Sequence, residues 1–340
     1  MRRAERAMRV AMNPPGWYPV GVGLLRSLVD DRGESASPGA LLMGVLNRTP
    51  DSFSDGGDYV DDARAVERAL AMVEEGASII DVGAESTRPG ALPISAPEQI
   101  ARLGSAIRHL SDAKVLVSID TSSLEVARFA LDQGARIINS VELAPAEALG
   151  RLAAERGAWL VLMHSRGSMT SMAGFSSTPD DAYGDVVADV WSEWRSAAQR
   201  ALDAGLGPDR LLFDPGLGFH KNARHSLTLC ARLAELAREG FEIVAGPSRK
   251  SFVAIAAGAS GTARVPPSER LGGTIAACLA CARAGASFLR VHDVAAVAQA
   301  LRVQRALDEV ALIDVERSSA TPKPAVATTP GASPEEGARA

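Results

Sequence analysis

The stretch Leu41-Leu42-Met43-Gly44-Val45-Leu46-Asn47-Arg48-Thr49-Pro50-Asp51-Ser52-Phe53-Ser54-Asp55-Gly56-Gly57 decides how the chain reads. An apolar run, Leu41 to Leu46, breaks abruptly into polar residues and then Gly-Gly. A parallel strand buried on both faces looks like this where it empties into a functional loop. Pro50 excludes further ladder pairing, and the Ser/Asp/Gly cluster favours turns that leave hydroxyls and carboxylates available.

Outward from that junction the pattern repeats. Strands are predicted at Leu41–Leu46, Ile79–Val82, Val115–Ile119, Arg136–Ile138, Trp159–Met163, Leu211–Phe213, Glu242–Ala245 and Phe288–Val291. Helical spacing of apolar residues predicts helices at Ala63–Glu75, Glu98–Leu110, Leu124–Asp132, Pro145–Arg156, Tyr183–Ala204 and Ala223–Glu239, then a helical region after Lys250 that ends at Ala284, and a helix over Val294–Leu312. Four strands are entered through the same dipeptide: Gly76-Ala77, Gly134-Ala135, Gly157-Ala158 and Gly285-Ala286. Glycine stops the helix, and alanine packs closely on the strand. Eight strand–helix units argue for an α/β fold, a (β/α)8 TIM barrel, over an open doubly wound sheet. The barrel is expected over residues 40–312, after an N-terminal arm at 1–39 with several prolines and glycines. A Ser/Thr/Ala/Pro-rich tail at 313–340 reads as disordered.

With 340 residues, 46% hydrophobic and 23% charged, the composition is that of a globular protein. A net charge of −5 without a basic block gives no sign of nucleic acid or an anionic membrane as partner. The basic start, Met1 to Arg9, is followed by Pro14-Pro15-Gly16 and not by a signal-peptide core, and no apolar run approaches the roughly 18 residues of a membrane span. Cytoplasmic localisation is expected. Three cysteines, Cys230, Cys278 and Cys281, cannot build a disulfide framework. Cys278-x-x-Cys281 lies in an alanine-rich helical pattern and reads as packing, not as a redox or metal pair.

In a barrel, catalysis belongs at the C-terminal strand ends. Those positions are polar on every strand: Asn47, Thr49, Asp51 and Ser52; Asp81, Glu85, Ser86, Thr87 and Arg88; Asp120 and Thr121; Asn139 and Ser140; His164, Ser165 and Arg166; Asp214; Ser248, Arg249, Lys250 and Ser251; Arg290, His292 and Asp293. Packing alone does not explain that convergence. Arg88, Lys250, Arg290 and His292 suit a phosphate or carboxylate. Asp120, Asn139 and Asp214 suit the polar edge of a nitrogen heterocycle. No nucleophile elbow, Walker loop or dinucleotide fingerprint is present, and Gly216-Leu217-Gly218 lacks a third glycine. Asn47 and Asp51 do not make a protein-only cage, so a cation here would be Mg²⁺ bridging a substrate's phosphates. Several of these residues also fit purely structural roles. Asp120 and Asp214 can also be helix caps. His164 reads as a core or supporting histidine, His220 and Lys221 as solvent-facing, and Arg249 as paired with a carboxylate. His109 and His225 carry no functional signal.

The series Met43 to Gly57, Asp81-Val-Gly-Ala-Glu-Ser-Thr87-Arg88-Pro-Gly90, Ser118-Ile-Asp120-Thr, Ile138-Asn139, Asp214-Pro-Gly-Leu-Gly-Phe219, Ser248-Arg-Lys250-Ser-Phe252 and Leu289-Arg290-Val-His292-Asp293 closely resembles the dihydropteroate synthase family, over roughly Leu41 to Val303. The resemblance implies condensation of 6-hydroxymethyl-7,8-dihydropterin diphosphate with 4-aminobenzoate, with release of pyrophosphate. It implies that Asp120, Asn139, Asp214 and Lys250 hold the pterin, and that Asn47 contacts Mg²⁺. Thr87, Arg290 and His292 would meet the diphosphate, and Arg88 joins Asp120, Asp214 and Lys250 as a catalytic candidate. Phe219 and the Lys250 stem would flank the aminobenzoate ring, with Ser251 at its carboxylate. A homodimer is also implied, and loops 47–58 and 84–95 would close over the substrates. Three departures stand out: Arg48 for a small apolar residue, Ala84 for glycine, and Ser140 for an aspartate near the pterin pocket. Met172-Ala173 also replaces the usual Met-Gln. These motivate a competing reading as a non-catalytic pterin-binding paralogue. A pterin-dependent methyltransferase fits the Ser248-Arg-Lys-Ser-Phe and Thr87-Arg-Pro motifs less well.

Overall fold

The structure is a computed structural model that describes residues 25, 39–48, 58–85, 93–168, 178–258 and 265–320. The expectations placed on Thr49, Asp51, Ser52, Ser86, Thr87, Arg88, Met172 and Ala173, on most of the arm and on residues 321–340 lie outside these.

Eight parallel strands close into a barrel in sequence order: β1 Leu41–Asn47, β2 Ile79–Gly83, β3 Val117–Asp120, β4 Ile137–Ser140, β5 Trp159–Met163, β6 Leu211–Asp214, β7 Glu242–Ala245 and β8 Phe288–Val291. β1 pairs with both β2 and β8, with Met43 opposite Ile79 on one side and Arg290 on the other. The expected TIM barrel is what forms.

Side chains on a strand alternate between two faces, and here the alternation sorts the apolar residues into two separate clusters. Leu42, Leu46, Ile80, Val82, Ile119, Ile138, Leu160, Phe213, Ile243 and Leu289 face outward, against the helices. Met43, Ile79, Leu116, Ile137, Trp159, Leu212, Val244 and Phe288 fill the barrel's interior, joined by Leu25 from the arm, whose side chain is fully buried. The inward positions one or two steps further along are Asn47, Asp81, Asp120, Asn139, Asp214 and Arg290. Parity alone therefore delivers the polar residues to one end of the barrel.

Helices α1 Asp58–Glu75, α2 Ala96–Leu103, α3 Ala106–Asp112, α4 Leu124–Asp132, α5 Ala146–Arg156, α6 Val186–Asp203, α7 Ala223–Ala231, α8 Leu233–Ala237, α9 Ser251–Ala256, α10 Leu271–Arg283 and α11 Val294–Ala320 follow the strands. The barrel lies in a unit of residues 1–301; residues 302–340 form a second unit. Helix α11 continues to Ala320, past the Leu312 end expected from helical spacing. No described helix is long and apolar enough to cross a membrane.

All four Gly-Ala joints adopt one geometry. Each glycine has positive φ, and each alanine N–H donates to the carbonyl five residues back: Ala77 to Met72, Ala135 to Ala130, Ala158 to Ala153 and Ala286 to Cys281. This is the Schellman closure, and it requires the glycine's left-handed freedom.

Two long predicted helices are broken. The Glu98–Leu110 pattern splits into α2 and α3 at Gly104, with φ 52°, because Asp62 of α1 takes the backbone and hydroxyl of Ser105 at 2.8 and 2.6 Å. The Ala223–Glu239 pattern splits at Arg232, which pairs with Asp185 and Glu235. At the Gly104 break a carboxylate from another helix takes the Ser105 backbone N–H that would continue the helix. The cysteines pack as expected: Cys230 of α7 and Cys278 and Cys281 of α10 are all buried.

Candidate functional site

The site begins with a fully buried carboxylate. Asp81 Oδ2 accepts from Asn139 Nδ2 at 3.0 Å and from Arg290 Nε at 2.6 Å. Arg290 then extends Nη2 to Asp120 Oδ2 at 2.7 Å. One guanidinium thus joins the ends of β2, β3 and β8, and Asn139 brings in β4. The planar fork of arginine suits two carboxylates on different strands, and lysine could not replace it. Gly83, opposite Asp120 in the ladder, leaves space there: a Cβ would sit 3.4 Å from that of Asp120.

Across the barrel, Asp214 Oδ1 accepts the Gly216 N–H at 2.7 Å. The following turn needs its glycines for steric reasons. Gly216 has φ 66°, and a Cβ there would lie 2.0 Å from the His164 carbonyl oxygen; at Gly218, with φ 80°, it would press on the Lys250 side chain at 3.3 Å. Gly216-Leu217-Gly218, too weak as a fingerprint, is therefore a close-approach turn. Lys250 Nζ donates to the Leu217 carbonyl at 2.5 Å and lies 4.2 Å from the centroid of the Phe219 ring. Phe219 packs with Met163, making the apolar wall of this half. Lys250 caps α9, whose first residue is Ser251.

At β8, the His292 N–H donates to Ser248 Oγ at 3.2 Å, and His292 Nδ1 lies 3.1 Å from the same oxygen. With Oγ already accepting, its own proton is available to Nδ1, which places the imidazole proton on Nε2. Arg249 pairs with Asp293, as its bland reading required.

Electrostatics divide these groups. Burial pushes Asp120 up to about 7 against the pull of Arg290, with Asp81, Glu85 and Asp214 adding to the rise. Asp214 is raised by burial too, opposed by Lys250. Burial lowers Lys250 to about 8, with Asp214 pulling it back. His292 falls to about 3 through burial and the charges of Arg290 and Arg249, so it is a neutral hydrogen-bond donor. Arg290 is held above its usual value by Asp81 and Asp120 despite burial. Perturbed groups concentrated in this way mark functional sites.

Several sequence readings need correction. Lys221 does not face solvent: it is completely buried. Ser140 lies on the outward face of β4 and accepts and donates locally, to the Glu142 backbone, so its departure removes nothing from the inward face of the strand. Arg48 adds no loose charge beside Asn47. It is buried, pairs with Asp62 at 2.5 Å and donates to the Arg102 carbonyl at 2.6 Å, on the helix side of β1. Ala84 is buried in the outer cluster. The predicted residues Asp120, Asn139 and Arg290 form one group, and Asp214, Phe219 and Lys250 another, with His292 beside β7's end. Thr87 and Arg88 fall outside the described residues. Asp81, the pivot of the first group, is a strand-end residue and part of a motif in the sequence, with no site role assigned to it there. Its signal was a charge at an inward position inside an otherwise apolar strand.

Comparison with known proteins agrees with this geometry. The family described as "Pterin binding enzyme" matches residues 43–292. The dihydropteroate synthase of Mycobacterium leprae is 43% identical over 264 residues, covering 77% of this chain and 91% of its own. That of Synechocystis is 40% identical, covering 78% and 89%. A solved Xanthomonas albilineans dihydropteroate synthase with 4-aminobenzoic acid superimposes with a TM-score of 0.71 at 38% identity, covering 79% of this chain and 93% of that one. Another structure of the enzyme from that organism, at a TM-score of 0.68 and 35% identity over 79% and 94% of the two chains, is a complex with 7,8-dihydropteroate. The chain belongs to the pterin-binding enzyme family and, within it, to the dihydropteroate synthases.

Proposed function

We propose that the polar end of this barrel condenses 6-hydroxymethyl-7,8-dihydropterin diphosphate with 4-aminobenzoate to give 7,8-dihydropteroate and pyrophosphate, with the residues above dividing the work. The observation that carries this reading is the pair of facing half-sites: Asp81–Asn139–Arg290–Asp120 on one side, and Asp214, Lys250 and Phe219 on the other. Asp120, Asn139, Asp214 and Lys250 hold the pterin's polar edge. When the bond from the pterin methylene to the diphosphate oxygen breaks, positive charge develops on the carbon, and Asp120 and Asp214 stabilise it. Both electrons of that bond leave with pyrophosphate. Arg290 gives Nε to Asp81 and Nη2 to Asp120, so its Nη1 is the edge for the departing oxygens. Neutral His292 adds an Nε2–H hydrogen bond, and Thr87 and Arg88, read from sequence alone, complete the anion's surroundings.

The 4-aminobenzoate nitrogen then attacks the methylene, forming the new C–N bond, and its proton passes to water or to the released pyrophosphate. A weak nucleophile of this kind gains most from positioning. Phe219 and the Lys250 stem hold the ring, and the Ser251 backbone meets the carboxylate. Among the described residues no cluster of three acidic, histidine or cysteine side chains could hold a metal. Asn47, a single amide donor at the end of β1, fits Mg²⁺ only where the substrate's phosphates and water supply the other ligands. Bound there, the cation would neutralise phosphate charge. We also read the protein as cytoplasmic, from its sequence, and as a homodimer, the state expected from the family resemblance.

The test is pyrophosphate release by purified protein with the pterin diphosphate, Mg²⁺ and 4-aminobenzoate. Turnover that requires 4-aminobenzoate and collapses in Asp120→Asn and Lys250→Ala is the expected result. Pterin binding without turnover would select the paralogue reading. The departures that motivated that alternative, Arg48 and Ser140, both point away from the pocket.

A further inference from the structure

Behind Asp214 and Phe219 lies a chain of polar groups that the reaction does not use directly. Lys221 Nζ, with no exposed surface, donates to three acceptors: His164 Nδ1 at 2.9 Å, the Phe219 carbonyl at 3.1 Å and the His164 carbonyl at 3.3 Å. Three acceptors match the three protons of an ammonium. An ammonium cannot accept, so His164 Nδ1 must, and the imidazole proton sits on Nε2. That nitrogen lies 3.1 Å from Glu193 Oε2 on α6. Glu193 is itself held by Arg166, whose guanidinium carbon stacks 3.7 Å from the Tyr183 ring centroid. Tyr183 returns to the same turn, donating to the His220 carbonyl at 3.0 Å. Next to Glu193, Trp194 anchors α6 to the barrel by donating to the Leu162 carbonyl at 2.9 Å.

The path thus runs from α6 through the end of β5 to the turn after β6. That turn carries Asp214 at its start and Phe219 at its end. The backbone tie between the two strands, His164 N–H to the Asp214 carbonyl at 2.8 Å, continues the register only to Asp214. Beyond it, the Lys221 bonds to His164 and to the Phe219 carbonyl fix the turn against β5. A buried lysine is a costly way to make two strands adhere, because an apolar side chain of equal length would pack there without desolvating a charge.

We propose that Lys221 is a positioning residue for the condensation, oriented by His164 and Glu193, which fixes the 216–219 turn so that Asp214 and Phe219 keep the spacing the two substrates need. His164 is kept neutral, at about 3, by burial and by the lysine's charge, which suits an acceptor. Burial lowers Lys221 to about 7 while Asp214 holds it up, and Lys250 and Arg166 press it down. The inference rests on the reaction proposed above, and its test separates the two.

Steady-state pyrophosphate release, with each substrate varied, is measured for the parent, Lys221→Met, His164→Asn and His164→Gln, alongside each protein's Tm. Asparagine places an oxygen near the Nδ1 position and keeps the acceptor; glutamine reaches toward Glu193 and removes it. Lys221→Met should keep the parent's Tm while kcat/KM falls about 100-fold, the size of effect a misplacement of about 1 Å produces. His164→Asn should retain at least about ten times the kcat/KM of His164→Gln at similar Tm. That rescue pattern is one a merely structural contact would not give. Lys221→Met within about threefold of the parent, or equal rates for the two His164 variants, would overturn the inference. Should Lys221→Met fail to fold, the His164 pair decides. A parent that does not turn over sinks the function and not the positioning claim alone.

Discussion

The barrel interior holds two floors built from the same strands. The lower floor, from Met43 and Ile79 round to Val244 and Phe288 with Leu25, is wholly apolar and buried. The upper floor, one or two inward steps further along, is Asp81, Asp120, Asn139, Asp214 and Arg290, and it too is largely out of water. The difference teaches where stability and chemistry reside. Burial of the lower floor favours folding by roughly 1.5–3 kcal/mol for each large side chain. Burial of the upper floor costs free energy unless every charge finds a partner, and the Asp81–Arg290–Asp120 bridge supplies those partners. Function is concentrated where folding gains least.

Four substitutions or conditions would break or sharpen that division. On the upper floor, Asp120→Asn should lower kcat by roughly 10²–10³-fold, the effect of losing one preorganised charge at a developing cation. Arg290 keeps Asp81, so the unfolding free energy should change by only about 1 kcal/mol. Comparable loss of both properties would merge the floors. On the lower floor, Phe288→Ala should cost about 3–5 kcal/mol in denaturant unfolding through its cavity, while kcat per folded molecule stays near the parent's. A large fall in kcat would show that the floors are coupled.

Arg48→Leu should destabilise by about 3 kcal/mol, because it strands Asp62 in a buried site, and Arg48→Leu with Asp62→Leu should recover most of it. A single-variant cost near zero would refute the ion pair described at the end of β1.

The smallest effect is in pH dependence. His164 and His292 have folded values near 3, below the ordinary 6.5, so the unfolded chain binds protons first as pH falls, and stability declines below about 6.5. Asp120, raised from 3.8 to about 7, acts oppositely: the folded state keeps a proton the unfolded state has lost, and stability declines as pH rises from about 4 to 7. Asp120→Asn should therefore steepen the loss of Tm on acidification between pH 7 and 4. An unchanged slope would mean that Asp120 titrates normally.

The strands were legible because each is a short apolar run, yet five were drawn a residue or more short at the C-terminal end. Asn47, Asp120, Asn139, Ser140 and Asp214 look like loop residues in sequence, whereas the ladder continues through them with their side chains turned alternately inward and outward. Parity, and not polarity, separates Asn139, in the site, from Ser140, outside it. Lys221 was misread for a related reason. Charge after a glycine-rich turn usually means solvent, and its three acceptors come from backbone and side-chain atoms up to 57 positions away in sequence. The helix break at Gly104 was hidden similarly, since Asp62, whose carboxylate takes the Ser105 N–H, belongs to another helix.

The four identical Gly-Ala joints have a consequence for how such a chain can change. They lie at the end of the barrel opposite the site, and each closes on its own helix through two backbone bonds, one from the glycine N–H and one from the alanine N–H. A helix and the strand it feeds therefore travel as a module whose coupling is the same from unit to unit. Insertions or exchanges in the long loops at the other end leave those couplings untouched. A laboratory lineage selected for a new acceptor amine could rewrite the loops after β1, β2 and β5 while inheriting the barrel's assembly instructions intact.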